Sequence, residues 1–388
     1  MKFLDCIQIS PPVSLVKGKI YSFIEMANVS TVFREPDYID VKAFSSGTKF
    51  EDGDTVIARI EPCLQNGKRF FVKGIGKGFG STEFLVFRPK TIGVDNKYLY
   101  YFMKTEYIQQ LMVSSMTGAT GRQRVNNDIF ADLEISLPDI SVQRRIASIL
   151  SAYDDLIENN RRQIKLLEEA AQRLYREWFV ELRFPGHESV KVVDGVPEGW
   201  MKGTVDNIVK LLSGYPFKSS EYVSSGKYRL ITIKNVKDGE FSPDNVDYID
   251  QLPDKVPSHC ILTEGDILLS LTGNIGRVCI VNGYNYLLNQ RVAKLQTLHP
   301  AYAYCMFRSK EMLNKMTALS NGVAQQNLSP IRAEKIRILI PSSNLLFQFK
   351  NIVEPIISQI ILLNNQITFA CEARDRLLPE LMDGEMEV

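Results

Sequence analysis

The feature that most constrains the fold is an internal duplication, because a pattern that occurs twice in one chain implies two similar domains. Four segments of the 388-residue sequence recur in the same order, at a spacing of about 205 residues. One short match can arise by chance, but four in the same order indicate a repeat. The pairs are YSFIEMANVS (21–30) with YRLITIKNVK (228–237), DYID (37–40) with DYID (247–250), FEDGDTVIARI (50–60) with LTEGDILLSL (262–271), and ADLEISLP (131–138) with EKIRILIP (334–341).

The first part of each repeat has the pattern of a β-rich domain. Short apolar and β-branched runs such as DTVIARI, RFFVKGI and DILLSLT alternate with turns that contain Gly, Asp and Asn. Such alternation is typical of strands joined by tight connections. The sequence therefore predicts an α+β protein with two β-rich domains, each followed by a long helix.

The helix that follows the first β-rich part has a heptad pattern. No Gly or Pro occurs between Ser141 and Phe179, and apolar residues step alternately by four and three positions, with Asn160 filling the one remaining position. A repeat of 3.5 residues is typical of a coiled-coil seam, whereas the face of a globular helix repeats every 3.6. The apolar seam positions are Ile146, Leu150, Tyr153, Ile157, Ile164, Leu167, Ala171, Leu174 and Trp178.

The second repeat has the same seam 203 residues later, with Phe349 at the place of Ile146. Arg374 is its polar exception. Pro355 and Pro379 have no counterpart in the first helix, so we expect a kink or a late start near the former and an end near the latter. The apolar seam positions are Phe349, Val353, Ile356, Ile360, Leu363, Ile367, Ala370, Leu377 and Leu381.

The strict spacing favours pairing of the two helices with each other, and the alternative is that each helix packs on its own β-rich domain. An antiparallel coiled coil would give a pseudo-two-fold internal repeat, with the domains near opposite ends of helices about 58 Å long. This length is on the scale of DNA half-sites that lie one helical turn, about 34 Å, apart. Asn160 in the seam would help to fix the register.

The segment FADLEISLPDISVQRRIASILSAYDDLIENNRRQI resembles the central conserved region of Type I restriction-modification specificity subunits. In that family a Leu-Pro-x4-Gln-x2-Ile-x3-Leu run leads into a long helix with Asp-Asp, Asn and Arg-Arg-Gln-Ile elements. VPEGW (196–200) resembles the phrase that opens a target recognition domain there, and GDILLSLTGNIGRVCIV resembles the body of one. The matching residues around the first helix are Leu137, Pro138, Gln143, Ile146, Leu150, Asp154, Asp155, Asn160, Arg161, Arg162, Gln163 and Ile164.

The chain departs from the family pattern in two places. The first repeat has no PEGW opening, and the second helix has SQIILLNNQI where the first has DDLIENNRRQI. The second departure puts in doubt that both helices offer equal surfaces to partners.

The resemblance implies a specificity subunit that catalyses nothing and needs no cofactor. Its expected partners are double-stranded DNA, read as a bipartite asymmetric site, two methyltransferase (M) subunits, and restriction/translocase (R) subunits. The expected divisions are a first target recognition domain at 1–140, a central conserved helix at 141–184, a second recognition domain at 185–343 and a C-terminal helix at 344–388. The alternative is a free-standing bipartite DNA-binding regulator without methyltransferase partners.

Each segment of the chain that resembles an enzyme motif lacks a residue or a spacing that the motif requires, or has the pattern of a turn. SPPV (10–13) has Val13 where amino-methyltransferase loops need an aromatic residue to stack the flipped base. KGIGKGFG (73–80) lacks the spacing of a dinucleotide loop and precedes a strand pattern. The acidic FEDGDTV and LTEGDIL segments have the pattern of turns, and the scattered Cys and His give no zinc-ligand spacing. We therefore predict no catalytic residue and no metal site.

The sequence also predicts a cytoplasmic protein that does not enter a membrane. Asp5 interrupts the apolar run of the N-terminus, so no signal peptide is expected. No segment approaches the roughly 20 apolar residues of a membrane span. The six cysteines form no CxxC pair, which fits reduced thiols.

A net charge of +1 does not exclude DNA binding, because a local basic surface can be balanced elsewhere. Arg and Lys contact guanine and phosphate, and Asn and Gln contact adenine. Each such residue alone is more often solvated surface, so none is assigned to a base. The candidates are Arg59, Lys68, Arg69, Lys73 and Lys77 in the first domain, Arg122, Gln123 and Arg124 in the loop TGATGRQRVN (117–126), Thr272, Asn274, Arg277, Asn289, Gln290 and Arg291 in the second domain, and Gln325 and Gln326 in the matching loop SNGVAQQNLS (320–329).

The two matching loops also bear on the kind of phosphate contact to expect. The second copy lacks both arginines and one glycine of the first, so a catalytic phosphate cradle is not indicated and any phosphate would belong to DNA. Methyltransferase partners are expected on helix faces away from the seam, although a merely soluble exterior is equally consistent. Those faces carry Arg161, Arg162, Lys165, Glu168 and Glu169.

Overall fold

The computed structural model of the chain describes residues 1–320 and 327–386. It divides into two compact units. Unit 1 comprises Met1–Asn160 and Gln366–Val388, and unit 2 comprises Arg161–Asn365. Each unit therefore combines one β-rich domain with a part of each of the two long helices.

Unit 1 contains two sheets and several helices. The strands are β1 (Ile7–Ile9), β2 (Ile20–Ile24), β3 (Asp40–Ala43), β4 (Thr48–Glu51), β5 (Thr55–Ala58), β6 (Arg69–Phe71), β7 (Lys77–Gly80) and β8 (Phe84–Pro89). The helices are α1 (Phe3–Cys6), α2 (Asn96–Phe102), α3 (Glu106–Ser114) and the start of α4 (Ile140–Tyr175). One sheet has the strand order β1-β8-β5-β6 and the other has the order β3-β2-β7-β4.

Unit 2 begins within α4, which is followed by a π-helical turn at Arg176–Val180. Its strands are β9 (Val192–Val193), β10 (Val196–Pro197), β11 (Met201–Thr204), β12 (Val209–Ser213), β13 (Tyr228–Ile231), β14 (Tyr248–Ile249), β15 (Ile261–Leu262), β16 (Ile267–Ser270), β17 (Val278–Ile280), β18 (Tyr286–Leu288), β19 (Val292–Thr297) and β20 (Arg337–Ile340). Its helices are α5 (Pro300–Arg308), α6 (Lys310–Leu319), α7 (Pro330–Glu334) and the start of α8 (Ser343–Met382).

The strand orders of the two units confirm the duplication. The larger sheets of unit 2 have the orders β12-β19-β16-β17 and β14-β13-β18-β15, which match the two sheets of unit 1 strand for strand. Even the parallel pair recurs, as β2 with β7 in unit 1 and β13 with β18 in unit 2. The predicted α+β class with two β-rich domains is confirmed.

Alternation along the central strands explains why these segments form sheets. In β5, Val56 contributes to the core that contains β2 and β4 residues, while the next residue, Ile57, contributes to the core under α2 and α3. In β16, Leu268 and Leu269 divide between two cores in the same way. Successive side chains of a strand point to opposite faces, so each β-rich domain has apolar layers on both sides of its central sheet.

The long helices pair within each unit as the heptad pattern predicts. In unit 1, Leu150 of α4 shares a core with Leu381 near the end of α8. In unit 2, Trp178, just after the end of α4, contacts Phe349 near the start of α8 with ring centroids 5.7 Å apart. The pairing is therefore antiparallel. These cores also include tyrosines of α2 and α5, so the helices pack on the β-rich domains as well as on each other.

The late start expected for the second helix near Pro355 is wrong, whereas the end expected near Pro379 is confirmed. Helix α8 begins at Ser343, well before Pro355, and it continues to Met382, beyond Pro379. Both prolines are exposed, so they lie on the side of the helix away from the buried seam. Each proline removes one backbone hydrogen bond, and burial of the opposite side holds the helix together across that loss.

Helix α8 also departs from the expectation that no segment has the composition of a membrane span. By length and composition alone it is apolar enough to cross a membrane, with a mean hydropathy of 1.3 over its most apolar 18 residues. The reason is that apolar residues such as Ile352, Leu362 and Phe369 lie on its exposed side, in addition to those of the seam. Seam residues of the same helix lie in the cores of both units.

Polar side chains occupy the two exceptional seam positions. The Asn160 side chain is 2% exposed, and its Nδ2 donates to Oε1 of Gln366 on α8 at 3.1 Å. Arg374 is 1% exposed, and its Nη1 donates to Oδ1 of Asp154 at 2.6 Å. The Tyr101 hydroxyl of α2 donates to the other oxygen of Asp154. The buried pair of Arg374 and Asp154 therefore joins α8, α4 and the β-rich domain of unit 1.

Substitution R374A should destabilise unit 1 by about 3–5 kcal/mol, because it leaves the Asp154 carboxylate buried without its cation. The matched control is R376A, two positions along the same helix, where the side chain is exposed and a change within about 0.5 kcal/mol is expected. Urea unfolding followed by peptide-resolved hydrogen exchange measures unit 1 by itself. Equal effects of the two substitutions would show that the buried pair contributes nothing particular to stability.

Candidate nucleic-acid interface

In unit 2, three loop segments meet at the end of β16 and the start of β19. The backbone N–H of Leu271 donates to the carbonyl oxygen of Arg291 at 3.0 Å, and the N–H of Leu328 donates to that of Leu271 at 2.8 Å. Thr272 and Asn327 form an isolated β-bridge. These bonds hold residues 271–277, 289–291 and 327–328 side by side, and we call this set loop cluster 2.

Unit 1 has the same arrangement at the end of β5 and the start of β8. The N–H of Arg59 donates to the carbonyl oxygen of Glu83 at 2.9 Å, and the N–H of Val125 donates to that of Arg59 at 2.9 Å. Ile60 and Arg124 form the corresponding isolated bridge. Residues 59–61, 81–83 and 117–125 therefore form loop cluster 1. The backbone frame of the two clusters is shared, although the side chains that it carries differ.

The loop TGATGRQRVN is a short hairpin in loop cluster 1. Thr117 and Arg124 exchange both backbone hydrogen bonds at 2.9 Å. Between them, Gly118 and Gly121 have φ angles of 123° and 80°, which only glycine adopts readily. The N–H of Gly121 donates to the Glu61 carboxylate. The glycines therefore serve the turn itself, and the hairpin is fastened to the residues that follow β5.

Arg124 is held by a carboxylate that the sequence pattern did not single out. Its Nε and Nη2 donate to the two oxygens of Glu83 at 2.8 and 2.7 Å. The hydrogen bonds from Arg124 hold the pKa of the Glu83 carboxyl below its usual range, with a smaller contribution from the charge of Arg59. Glu83 is separated from Arg124 by 41 residues, so no local pattern in the sequence indicates this pair. Beside this pair, Arg122 is exposed and Gln123 is half-buried.

Of the remaining candidates of unit 1, Arg59 belongs to loop cluster 1, and the four others do not join it. Arg69 is 7% exposed, and its Nη1 and Nη2 donate to the Met103 carbonyl oxygen and to the Gln109 side chain, both at 2.6 Å. Lys68 Nζ donates to a backbone carbonyl oxygen at 2.7 Å, and Lys73 Nζ contacts Asp155 of α4 at 3.2 Å. These three side chains have partners inside the fold. Lys77 is exposed at the start of β7, and Arg59 is half-buried within the cluster.

The candidates of unit 2 gather more closely, in and beside loop cluster 2. Thr272 is 2% exposed and donates to the Asn327 side chain at 3.0 Å. Asn289 is also buried, and its Oδ1 accepts from the Gln290 N–H at 2.7 Å. Both side chains therefore shape the cluster from inside. The candidates with exposed or half-buried side chains are Asn274, Arg277, Gln290 and Arg291.

Gln325 and Gln326 lie outside the described residues. Of the residues expected on the helix exterior, Arg162, Lys165 and Glu169 are exposed, but the expectation for Glu168 is wrong. Glu168 is buried, where it accepts hydrogen bonds from the Tyr304 hydroxyl and from Arg308, so it is a structural contact between α4 and α5.

Aromatic side chains border loop cluster 2, although the predicted candidates for DNA contact include no aromatic residue. The Asn289 Nδ2 donates to the Tyr222 hydroxyl at 3.4 Å, and the Gln290 N–H donates to the Tyr215 carbonyl oxygen at 3.1 Å. Tyr215 in turn packs on Phe217, with ring centroids 5.0 Å apart. Two of these rings belong to the segment GYPF (214–217), in which aromatic residues alternate with Gly and Pro. This pattern in the sequence indicates an aromatic turn.

Comparison with known proteins gives one consistent result. The family described as the Type I restriction modification DNA specificity domain matches residues 16–169 and 197–368. The MjaIX specificity subunit of a Type I restriction enzyme from Methanocaldococcus jannaschii is 28% identical over 308 residues, which cover 76% of this chain and 70% of the relative. The HindI specificity subunit of Haemophilus influenzae is 23% identical, with 86% of each chain covered.

A solved structure has the same fold. The S subunit of a Type I restriction-modification system from M. genitalium superposes with a TM-score of 0.57 at 15% sequence identity, covering 98% of this chain and 95% of that one. The two matched segments of the family correspond to the two repeats of the sequence.

Substitution R69A should lower the free energy of unfolding of unit 1 by about 3 kcal/mol, because two charge-assisted hydrogen bonds are lost in a buried site. The matched control K77A removes an exposed cation eight residues later and should change stability by no more than about 0.5 kcal/mol. Thermal unfolding of the two variants and the wild type measures the difference. If R69A left the free energy of unfolding unchanged, the buried contacts of Arg69 would not contribute to stability. Arg69 would then again be a candidate for contact with DNA.

Proposed function

Since the chain belongs to the Type I restriction-modification DNA specificity family, we propose that it recognises a bipartite, asymmetric DNA sequence, one half-site by each β-rich domain. The observation that carries this proposal is the repetition of one backbone frame in loop clusters 1 and 2. A frame that occurs twice suits two similar ligands, and two half-sites of one duplex are such ligands.

The asymmetry of the site follows from the different side chains on that frame. Loop cluster 1 carries guanidinium and carboxylate groups, whereas the exposed surface of loop cluster 2 combines amides with Arg277 and Arg291. Guanidinium groups suit guanine and amide side chains suit adenine in the major groove. Two clusters of unlike chemistry therefore favour two unlike half-sites.

We place sequence-independent contacts on exposed cations of the β-rich domains, inside and outside the loop clusters. Lys77 and Arg122 are exposed in unit 1, and such side chains contact phosphates without reading bases. The aromatic side chains beside loop cluster 2 would exclude water from the contact. The division of the chain remains part of the proposal, with recognition domains at 1–140 and 185–343 and conserved helices at 141–184 and 344–388.

The subunit would act without catalytic residues of its own, in the cytoplasm, as the recognition component of a larger complex. Methyltransferase subunits are proposed to dock on the outer faces of the helices, and restriction/translocase subunits to join them. The support for docking there is that the helices expose apolar as well as charged side chains. Leu166 on α4 is 65% exposed and Phe369 on α8 is 67% exposed, and exposed apolar surface that forms a continuous patch often marks protein contacts.

The test is co-expression with a cognate methyltransferase subunit, followed by genome-wide mapping of methylated adenines. The proposal predicts methylation at one bipartite motif with two different half-sites and a fixed gap. Methylation at a single continuous site would contradict it. Tight specific binding by the chain without any methyltransferase subunit would favour a free-standing regulator instead.

A second prediction concerns the gap. Deletion of residues 161–167 together with 359–365 removes one heptad from each helix and keeps the phase of the seam. Each helix becomes about 10 Å shorter, so the gap should shrink by about three base pairs, at 3.4 Å per step, while both half-sites stay the same.

The matched control deletes only one of the two heptads, which puts the seam out of register and should abolish methylation. Mapping of methylated motifs measures both variants. If the double deletion changes the sequence of a half-site and leaves the gap alone, helix length does not set the gap.

A further inference from the structure

The two loop clusters carry different side chains at two pairs of equivalent positions. Glu83 and Arg291 are equivalent because each accepts the N–H of the first residue after the central strand, at 2.9 and 3.0 Å. Arg124 and Asn327 are equivalent because each forms an isolated β-bridge with the second residue after the central strand, which is Ile60 in unit 1 and Thr272 in unit 2. Loop cluster 1 thus has a guanidinium where loop cluster 2 has an amide.

We propose that Arg124 contacts a guanine of the first half-site and that Glu83 is its positioning residue. This inference rests on the proposed function, and it deepens that function by naming a base and the side chain that determines it. Arg124 ends the hairpin of loop cluster 1, in which Gly118 and Gly121 form the turn.

The geometry of the pair leaves the guanine-binding edge of Arg124 open. Glu83 occupies the side of the guanidinium that carries Nε and one hydrogen of Nη2. Within residues 1–320 and 327–386, the opposite end, formed by Nη1 and the second hydrogen of Nη2, has only a long contact of 3.4 Å to the Arg122 carbonyl oxygen. Two parallel donors on that end match the O6 and N7 acceptors of guanine.

Glu83 fixes the direction in which this edge faces. Two hydrogen bonds hold the guanidinium plane, so little side-chain freedom remains to be lost when a base binds. Because the bonded carboxylate has a lowered pKa, it remains an acceptor at neutral pH and keeps its hold on Arg124. The side chains of Arg124 and Glu83 are 45% and 24% exposed, so a base edge can reach the pair.

The fold itself does not need this ion pair. An exposed ion pair contributes little to stability. The hairpin is already fastened by the backbone bonds between Thr117 and Arg124, by the Gly121 N–H on Glu61, and by the Val125 N–H on the Arg59 carbonyl oxygen. The pair therefore orients a side chain on a loop whose position is set by other contacts.

The experiment uses the full chain in complex with its methyltransferase subunits. Relative affinities are measured for the cognate duplex and for duplexes changed one base pair at a time across both half-sites. Variants R124A and R124K should lose about tenfold to a hundredfold of discrimination at one G·C position of the first half-site. R124K keeps the charge but lacks the two parallel donors, so it separates base reading from simple charge.

Variant E83Q should relax the same position to a smaller degree, which identifies Glu83 as acting through Arg124. The matched control is E25Q, which also removes one carboxylate charge from an exposed pair of the same domain, that of Glu25 with Lys42. E25Q should leave every position unchanged.

Three results would overturn the proposal. The Arg124 variants could weaken binding equally for all duplexes, which is the behaviour of a phosphate contact. They could relax a position of the second half-site, or the first half-site could contain no G·C pair. Failure of the proposed function is distinguishable from these, because the wild-type complex would then show no bipartite preference at all.

Discussion

Antiparallel packing of α4 against α8 brings distant parts of the chain together in each compact unit. The helices lie about 200 residues apart in sequence, yet each compact unit takes a part of both. Neither β-rich domain forms its unit without the helix segment that the other half of the chain supplies. A seam with a 3.5-residue repeat keeps one face of each helix towards its partner over many turns, and this sustained contact offsets the cost of closing so long a loop.

Polar groups in the seam restrict how the helices can pair. The hydrogen bond of Asn160 with Gln366 and the buried pair of Asp154 with Arg374 are satisfied in one register. A shift of the helices would leave a buried charge without its partner, at a cost of several kcal/mol. Apolar seam residues stabilise the pair in general, and these polar residues select one alignment.

The two β-rich domains have the same backbone frame in their loop clusters, but the side chains on that frame differ. The same three backbone contacts recur around Arg59 and Leu271. Backbone bonds are independent of side-chain identity, so the positions around them can change without loss of the loop structure. A duplicated frame with different side chains is a simple way to obtain two recognition surfaces of unlike specificity in one chain.

The sequence predicted what depends on local pattern and missed what depends on distant contacts. The heptads, the repeat and the turns are regularities of spacing, and the structure confirms them. The late start expected at Pro355 was wrong because a proline on the exposed side of a helix is tolerated when the opposite side is buried. The burial of Arg69 and of Glu168, and the pairing of Glu83 with Arg124, arise from residues tens of positions away or more, which no local pattern reveals.

Cysteine cross-linking tests the antiparallel seam most directly. With the chain intact, the pair L150C and L378C should be joined by a short bifunctional thiol reagent, since Leu150 and Leu378 share one core. The comparison pair is L150C with V353C, the position that follows Leu150 by one repeat. Cross-linking of 150 with 378 and its absence with 353 is the result expected. Cross-linking of 150 with 353 but not with 378 would mean parallel pairing and would contradict the account.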